Sequence, residues 1–126
     1  ALSVMEKQGS GSILVTASVA GIRTQPPDPI YALSKSAVIS FVRSVAPALA
    51  DRGVRINALC PGSVDTPIQP DERRLARRPM SPPEEIAEAI GQILISDDNG
   101  GIWIASSSDY PVWRYEFASA IDGPPS

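Results

Sequence analysis

The sequence predicts an α/β fold in which a parallel sheet is layered with helices. Ser12–Ala17 is a short apolar run of the nearly continuous kind found in buried parallel strands, and the runs Val54–Cys60 and Gly101–Ala105 read as two further strands. Between the runs lie stretches with apolar residues at three-and-four spacing, the period of a core-facing helix. Strand, helix, strand, helix, strand requires parallel pairing with right-handed crossovers. With 126 residues the chain has room for one domain, taken as residues 1–126.

Each element follows from local chemistry. Ala1 to Lys7 reads as the last turns of a helix, stopped by Gly9-Ser10-Gly11. The strand Ser12–Ala17 comes next, then a loop from Val19 to Pro29, where Gly21, Pro26, Pro27 and Pro29 oppose regular structure. A helix is expected from about Ile30 or Tyr31 to Ala50, with Ala37, Val38, Phe41, Val42, Val45 and Leu49 as its core stripe. Pro47 should kink or loosen its end. Asp51-Arg52-Gly53 stops the helix, and Val54–Cys60 runs to Pro61-Gly62. Ser63 to Met80 is polar and is expected to be a loop with one short helical piece. Ser81-Pro82-Pro83-Glu84 has the pattern of a capping box with proline at the first helical position. The helix it opens should run to Ile95, with Ile86, Ala89, Ile90 and Ile93 inward. The strand Gly101–Ala105 is followed by a tail holding Tyr110, Trp113, Tyr115 and Phe117, which either packs over the sheet or meets a partner.

Composition narrows the function. A net charge of -3 offers no electrostatic reason to bind nucleic acid or an anionic membrane. No apolar run approaches the roughly 20 residues of a membrane span, and no signal peptide is evident. The single cysteine, Cys60, excludes an intrachain disulfide and fits a reducing cytoplasm, the expected location. The chain contains no histidine, which removes Ser-His-Asp and Cys-His catalysis and most zinc sites. No metal site is expected. An enzyme built on this chain must use Tyr, Lys, Ser, Asp, Glu or a cofactor.

Tyr31-Ala-Leu-Ser-Lys35 places a phenol and an ammonium one helical turn apart on one face. An adjacent positive charge favours the anionic form of an acid, so a phenol beside a lysine suits proton exchange with an alcohol or ketone. By itself the spacing equally describes an amphipathic helix with a snorkelling lysine. Topology adds weight. Ligands of open parallel sheets bind beyond the carboxyl ends of the strands. The first strand ends at Ser18, the second at Pro61-Gly62, and Tyr31 opens the helix between them.

Thr16-Ala-Ser18-Val-Ala-Gly21, Tyr31-Ala-Leu-Ser-Lys35 and Arg55-Ile-Asn-Ala-Leu-Cys-Pro61-Gly62-Ser-Val64-Asp-Thr66 together resemble the short-chain dehydrogenase/reductases, over about Gly9 to Pro67. The resemblance implies the last three strands of a Rossmann-like, doubly wound parallel sheet with their helices. It implies an NAD(P)-dependent oxidoreductase acting on a small-molecule carbonyl or secondary alcohol, with NAD or NADP as cofactor. Tyr31 would be the general acid/base, Lys35 would tune it and hold the nicotinamide ribose, and Ser18 would orient the substrate oxygen. Pro61, Gly62 and Val64 would face the nicotinamide carboxamide, with Thr66 on the carboxamide or pyrophosphate. The helix Tyr31–Ala50 would form a homo-oligomer interface.

The family's glycine-rich phosphate loop has no counterpart, since Gly9-Ser10-Gly11 precedes a strand instead of opening a helix after one. The chain therefore reads as the carboxyl-terminal part of a single Rossmann-type domain. The alternative is a truncated, inactive fragment or an interaction remnant of such an enzyme. Arginines 73, 74, 77 and 78 read as a solvated segment, in the place of the family's substrate lid. Glu84, Glu85 and Glu88 fit a helix dipole better than a metal, and Cys60 reads as a small buried hydrophobe.

Overall fold

The computed structural model describes residues 1–69, 71 and 80–117. A short helix α1 (Leu2–Gln8) leads into strand β1 (Gly11–Thr16). A single 3-10 turn (Val19–Gly21) and helix α2 (Pro29–Ala50) follow, then strand β2 (Val54–Pro61), helix α3 (Pro83–Ile95) and strand β3 (Ile102–Ala105). A two-residue strand, β4 (Trp113–Arg114), closes the described part. The sheet order is β1-β2-β3-β4. β1 pairs with β2 and β2 with β3 in parallel, as the alternation of elements predicts. β4 pairs antiparallel with β3, and nothing in its two residues signals a strand.

Helices cover both faces. On one side Ile39, Val42, Ala46 and Leu49 of α2 pack on Val54, Ile56, Ala58, Cys60, Ile102 and Ile104. On the other, Ala89 and Ile93 of α3 meet Leu59 and Ala105, with Leu14 and Trp103 alongside. Alternate residues of β2 thus point to opposite layers, and seven of its eight positions are buried. This explains why apolar residues fall on both faces of the strand, interrupted only by Arg55 and Asn57.

Several expectations require correction. The core stripe of α2 is Ile39, Val42, Ala46 and Leu49, with Val38 and Val45 partly buried, whereas Ala37 and Phe41 are exposed. The buried stripe is the one that seats Ile39 against Gly21 and Ala46 against the sheet, small or distant contacts that apolar spacing alone does not weigh. Pro47 lies inside α2, which runs to Ala50 as expected. Ser81 does not cap α3: its cap residue is Pro82, and Ser81 is buried in a bridge with Val64. Pro83 and the acidic residues Glu84 and Glu85 do occupy the first turn. The tail packs over the sheet through Tyr115, whose N–H donates to the Ile102 carbonyl at 2.7 Å. The arginines at 73 to 78 lie outside the described residues.

Two asparagines hold the 97–100 turn. Asn57, fully buried, donates to the Asp98 carbonyl (2.7 Å) and accepts from the Gly101 N–H (2.8 Å). Asn99 accepts from the Ile56 N–H and donates to the Ala46 carbonyl, both at 2.9 Å. The start of β3 is thereby tied to β2 and to the end of α2.

Candidate active site

The carboxyl ends of β1 and β2 and the amino end of α2 meet at one edge of the sheet. Register brings them there. Thr16 pairs with Leu59, and the Ala17 N–H extends the ladder to the Leu59 carbonyl at 2.7 Å. Ser18 therefore arrives beside Cys60 at the end of β2. It is buried, with extended backbone, and its Oγ accepts from the Ala20 N–H at 3.1 Å. Ser18 thus caps a 3-10 turn, and its hydroxyl proton has no acceptor among the described residues.

Tyr31 stands in the first turn of α2. The Asp28 carboxylate accepts from its N–H at 2.9 Å, and Pro29 takes the first helical position. An Asp before Pro is a helix-start signal, and here it fixes where Tyr31 emerges. The Tyr31 side chain is 41% exposed, so the phenol opens outward and has no hydrogen-bond partner among the described residues. One turn later, Lys35 Nζ lies 5.7 Å from the centroid of the Tyr31 ring. The ammonium donates to the Thr16 carbonyl at 3.3 Å rather than to the phenol oxygen, which leaves it two further N–H donors.

Cys60 links these groups. Burial pushes its thiol from 9.0 up to about 11, while the Ser18 backbone and the Lys35 ammonium pull the other way. The cysteine remains a neutral thiol at physiological pH, which fits its expected role as a small hydrophobe.

Pro61 ends β2 and is buried. The Gly62 N–H donates to the Ala105 carbonyl at 2.8 Å, and a Cβ at Gly62 would collide with the Ser106 backbone. Only glycine allows β2 to turn off the sheet so close to the end of β3. Val64 bridges to Ser81, and the Thr66 N–H donates back to the Val64 carbonyl at 2.9 Å. The segment from Gly62 to Thr66 is thus held at the same edge, with the Thr66 hydroxyl unpaired among the described residues. No hydrogen bond joins it to Tyr31 or Lys35, and none joins Ser18 to Tyr31. Two contributors escaped the sequence reading: Asp28 and the Thr16 carbonyl. Only Asp28 carried a local signal.

The fold and edge geometry define an α/β protein with donors gathered at the carboxyl ends of parallel strands. Residues 1–76 match the family model described as short chain dehydrogenase, and the chain belongs to the short-chain dehydrogenase/reductase family. It is 39% identical over 104 residues to a 3-oxoacyl-[acyl-carrier-protein] reductase of Thermotoga maritima, covering 75% of this chain and 42% of that protein. It is 46% identical over 72 residues to 15-hydroxyprostaglandin dehydrogenase [NAD(+)] of Bos taurus, covering 53% of this chain and 27% of that protein. A 7α-hydroxysteroid dehydrogenase solved with NADH and 7-oxo glycochenodeoxycholic acid has a TM-score of 0.74 at 29% identity, covering 85% of this chain and 47% of that one. The chain spans less than half the length of these relatives. No helix among the described residues is long and apolar enough to cross a membrane.

Proposed function

We propose that this chain carries the proton-transfer centre of an NAD(P)-dependent oxidoreductase acting on a carbonyl or secondary alcohol. The observation that carries the reading is the Lys35 ammonium, held between the Thr16 carbonyl and the Tyr31 ring at the strand edge where Ser18 emerges. The relatives' activities support oxidoreduction in general. Their substrates, an acyl carrier protein thioester, a prostaglandin and a steroid among them, differ too much to name one here.

In this reading Tyr31 Oη donates its proton to a carbonyl oxygen as the carbon is reduced, and removes it from the hydroxyl in the reverse direction. Lys35 holds its positive charge beside the ring that donates the proton. The Ser18 hydroxyl, with a proton to donate and its Oγ fixed by the Ala20 N–H, steadies the substrate oxygen and its developing charge.

The residues present fit the nicotinamide end of such a cofactor. Lys35 has unused donors for a ribose, and the Thr66 hydroxyl is available for a carboxamide beside the Pro61-Gly62 turn and Val64. When bound, the nicotinamide gives or takes the hydride. The phosphate end is different. Gly9 and Gly11 flank the amino end of β1, at the opposite edge of the sheet, so the described residues supply no glycine-rich cradle there. Tight dinucleotide binding thus needs groups beyond those described.

We further infer self-association through α2. Leu33, Ala37 and Phe41, at four-residue spacing along one face, are all exposed. The activity test is calorimetric titration with NADH and NADPH, paired with turnover of a simple ketone. Turnover that Tyr31→Phe abolishes supports the reading; equal turnover in both proteins contradicts it.

A further inference from the structure

Ser18 and Tyr31 sit thirteen residues apart, on a 3-10 turn and a helix, and no direct bond joins them. A proton-transfer site needs them in fixed relation. We infer that Gly21 and Ser36 are positioning residues that clamp the Ser18 turn onto the helix bearing Tyr31 and Lys35. This inference rests on the proton-transfer reading for its purpose, though not for its geometry.

Two consecutive helix residues grip the chain on either side of Ser18. Lys35 Nζ reaches back to the Thr16 carbonyl, two residues before it, at 3.3 Å. Ser36 Oγ donates to the Gly21 carbonyl, three residues after it, at 2.9 Å. Between the two pins the turn is braced internally. The Gly21 N–H donates to the Ser18 carbonyl at 2.9 Å and the Ala20 N–H to Ser18 Oγ at 3.1 Å. The Gly21 carbonyl and the Ser36 hydroxyl are spent on each other; both residues act through Ser18.

Gly21 makes the close approach possible. A Cβ there would lie 2.7 Å from the Lys35 carbonyl carbon and 2.8 Å from both its oxygen and Ile39 Cδ1. Two of these atoms are helix backbone and cannot swing aside, so any side chain lifts the turn from α2. The glycine is required by contact rather than by a left-handed conformation, because its φ lies outside that region. The hydroxyl of Ser36 then sets the register of the contact. A helix that merely packed on the turn through apolar atoms could slide; a directional bond fixes the sliding coordinate.

The test is amide hydrogen exchange, read by NMR, on the full chain and on Ser36→Ala, Ser36→Thr and Gly21→Ala. Loss of one exposed hydrogen bond should speed exchange of the Ala20 and Gly21 amides about five- to tenfold in Ser36→Ala. Core amides such as those of Val42 and Ala58 should keep their rates. Ser36→Thr retains the hydroxyl and should restore the original rates, while Gly21→Ala should exceed the effect of Ser36→Ala. Unchanged Ala20 and Gly21 rates in Ser36→Ala, or rates raised equally throughout the core, would overturn the clamp. In the same proteins, turnover of a ketone should fall in Ser36→Ala with the KM for the nicotinamide cofactor unchanged. Equal turnover alongside accelerated exchange would also overturn the positioning role. Absence of ketone turnover in the unsubstituted chain even at cofactor concentrations that calorimetry shows to saturate it would count against the proton-transfer reading instead, and the exchange rates would still decide the clamp.

Discussion

Replacing Asn57 is expected to weaken the sheet more than its size suggests. The side chain is fully buried and makes two hydrogen bonds, to the Asp98 carbonyl at 2.7 Å and from the Gly101 N–H at 2.8 Å. Asn57→Leu keeps the number and branching of side-chain heavy atoms, though its methyl groups are bulkier, and both backbone groups lose their partner. Gly101 is buried and Asp98 is partly exposed, so the N–H is the costlier orphan. With about 1–3 kcal/mol for a buried unsatisfied group and less for the carbonyl, the loss should be about 3 kcal/mol. Asn57→Ala adds a small cavity and should lose about 1 kcal/mol more. With a urea slope of about 1.5 kcal/mol/M, the midpoint for Asn57→Leu should fall by about 2 M. Urea unfolding followed by far-UV circular dichroism measures this directly. A leucine variant within about 0.5 kcal/mol of the parent would refute the reasoning, because it would mean that the two backbone groups are not committed to Asn57.

Cys60 gives a pH signature. Its folded thiol is pushed up to about 11 from 9.0, so the unfolded chain releases the proton first and stability declines as pH rises from about 9 toward 11. Below pH 9 the contribution is constant. The difference in unfolding free energy between the parent and Cys60→Ala should therefore shrink across that window by about 2 kcal/mol, and a flat difference would contradict the burial argument. For the exposed face of α2, light scattering should report a dimer that Phe41→Glu converts to monomer. A monomer at all concentrations in the parent chain would exclude that face as a self-association surface.

The sheet was legible in the sequence because its inner strands β2 and β3 are buried and β1, though only partly buried, is still a short apolar run between glycine and small residues. The edge that gathers the candidate residues was legible for a related reason: Ser18, Tyr31 and Pro61-Gly62 each stand at an element boundary, and topology alone sends those boundaries to one side. What failed was whatever depended on partners distant in sequence. The inward face of α2 was misplaced because Phe41 is apolar and exposed while Ala46 is small and buried, and periodicity weighs the larger residue. Ser81 looked like a cap, but a bridge to Val64 claimed it. β4 owes its existence to pairing with β3 and carries no pattern of its own. Asn57 and Ser36, polar residues inside a strand and a helix, reveal their roles only through carbonyls and amides more than ten residues away.

The role of Tyr31 is the point on which the functional reading stands. Removing a positioned general acid/base typically costs a factor of about 10²–10⁴, so ketone reduction by Tyr31→Phe should fall by about a thousandfold. Its calorimetric affinity for NADH or NADPH should remain close to that of the parent, since the phenol leaves Lys35, Thr66 and the Pro61-Gly62 turn in place. The deciding measurement is kcat for Tyr31→Phe against the parent at saturating cofactor. A fall of that size with binding retained is the predicted result, and a kcat within about threefold of the parent would contradict Tyr31 as the proton donor.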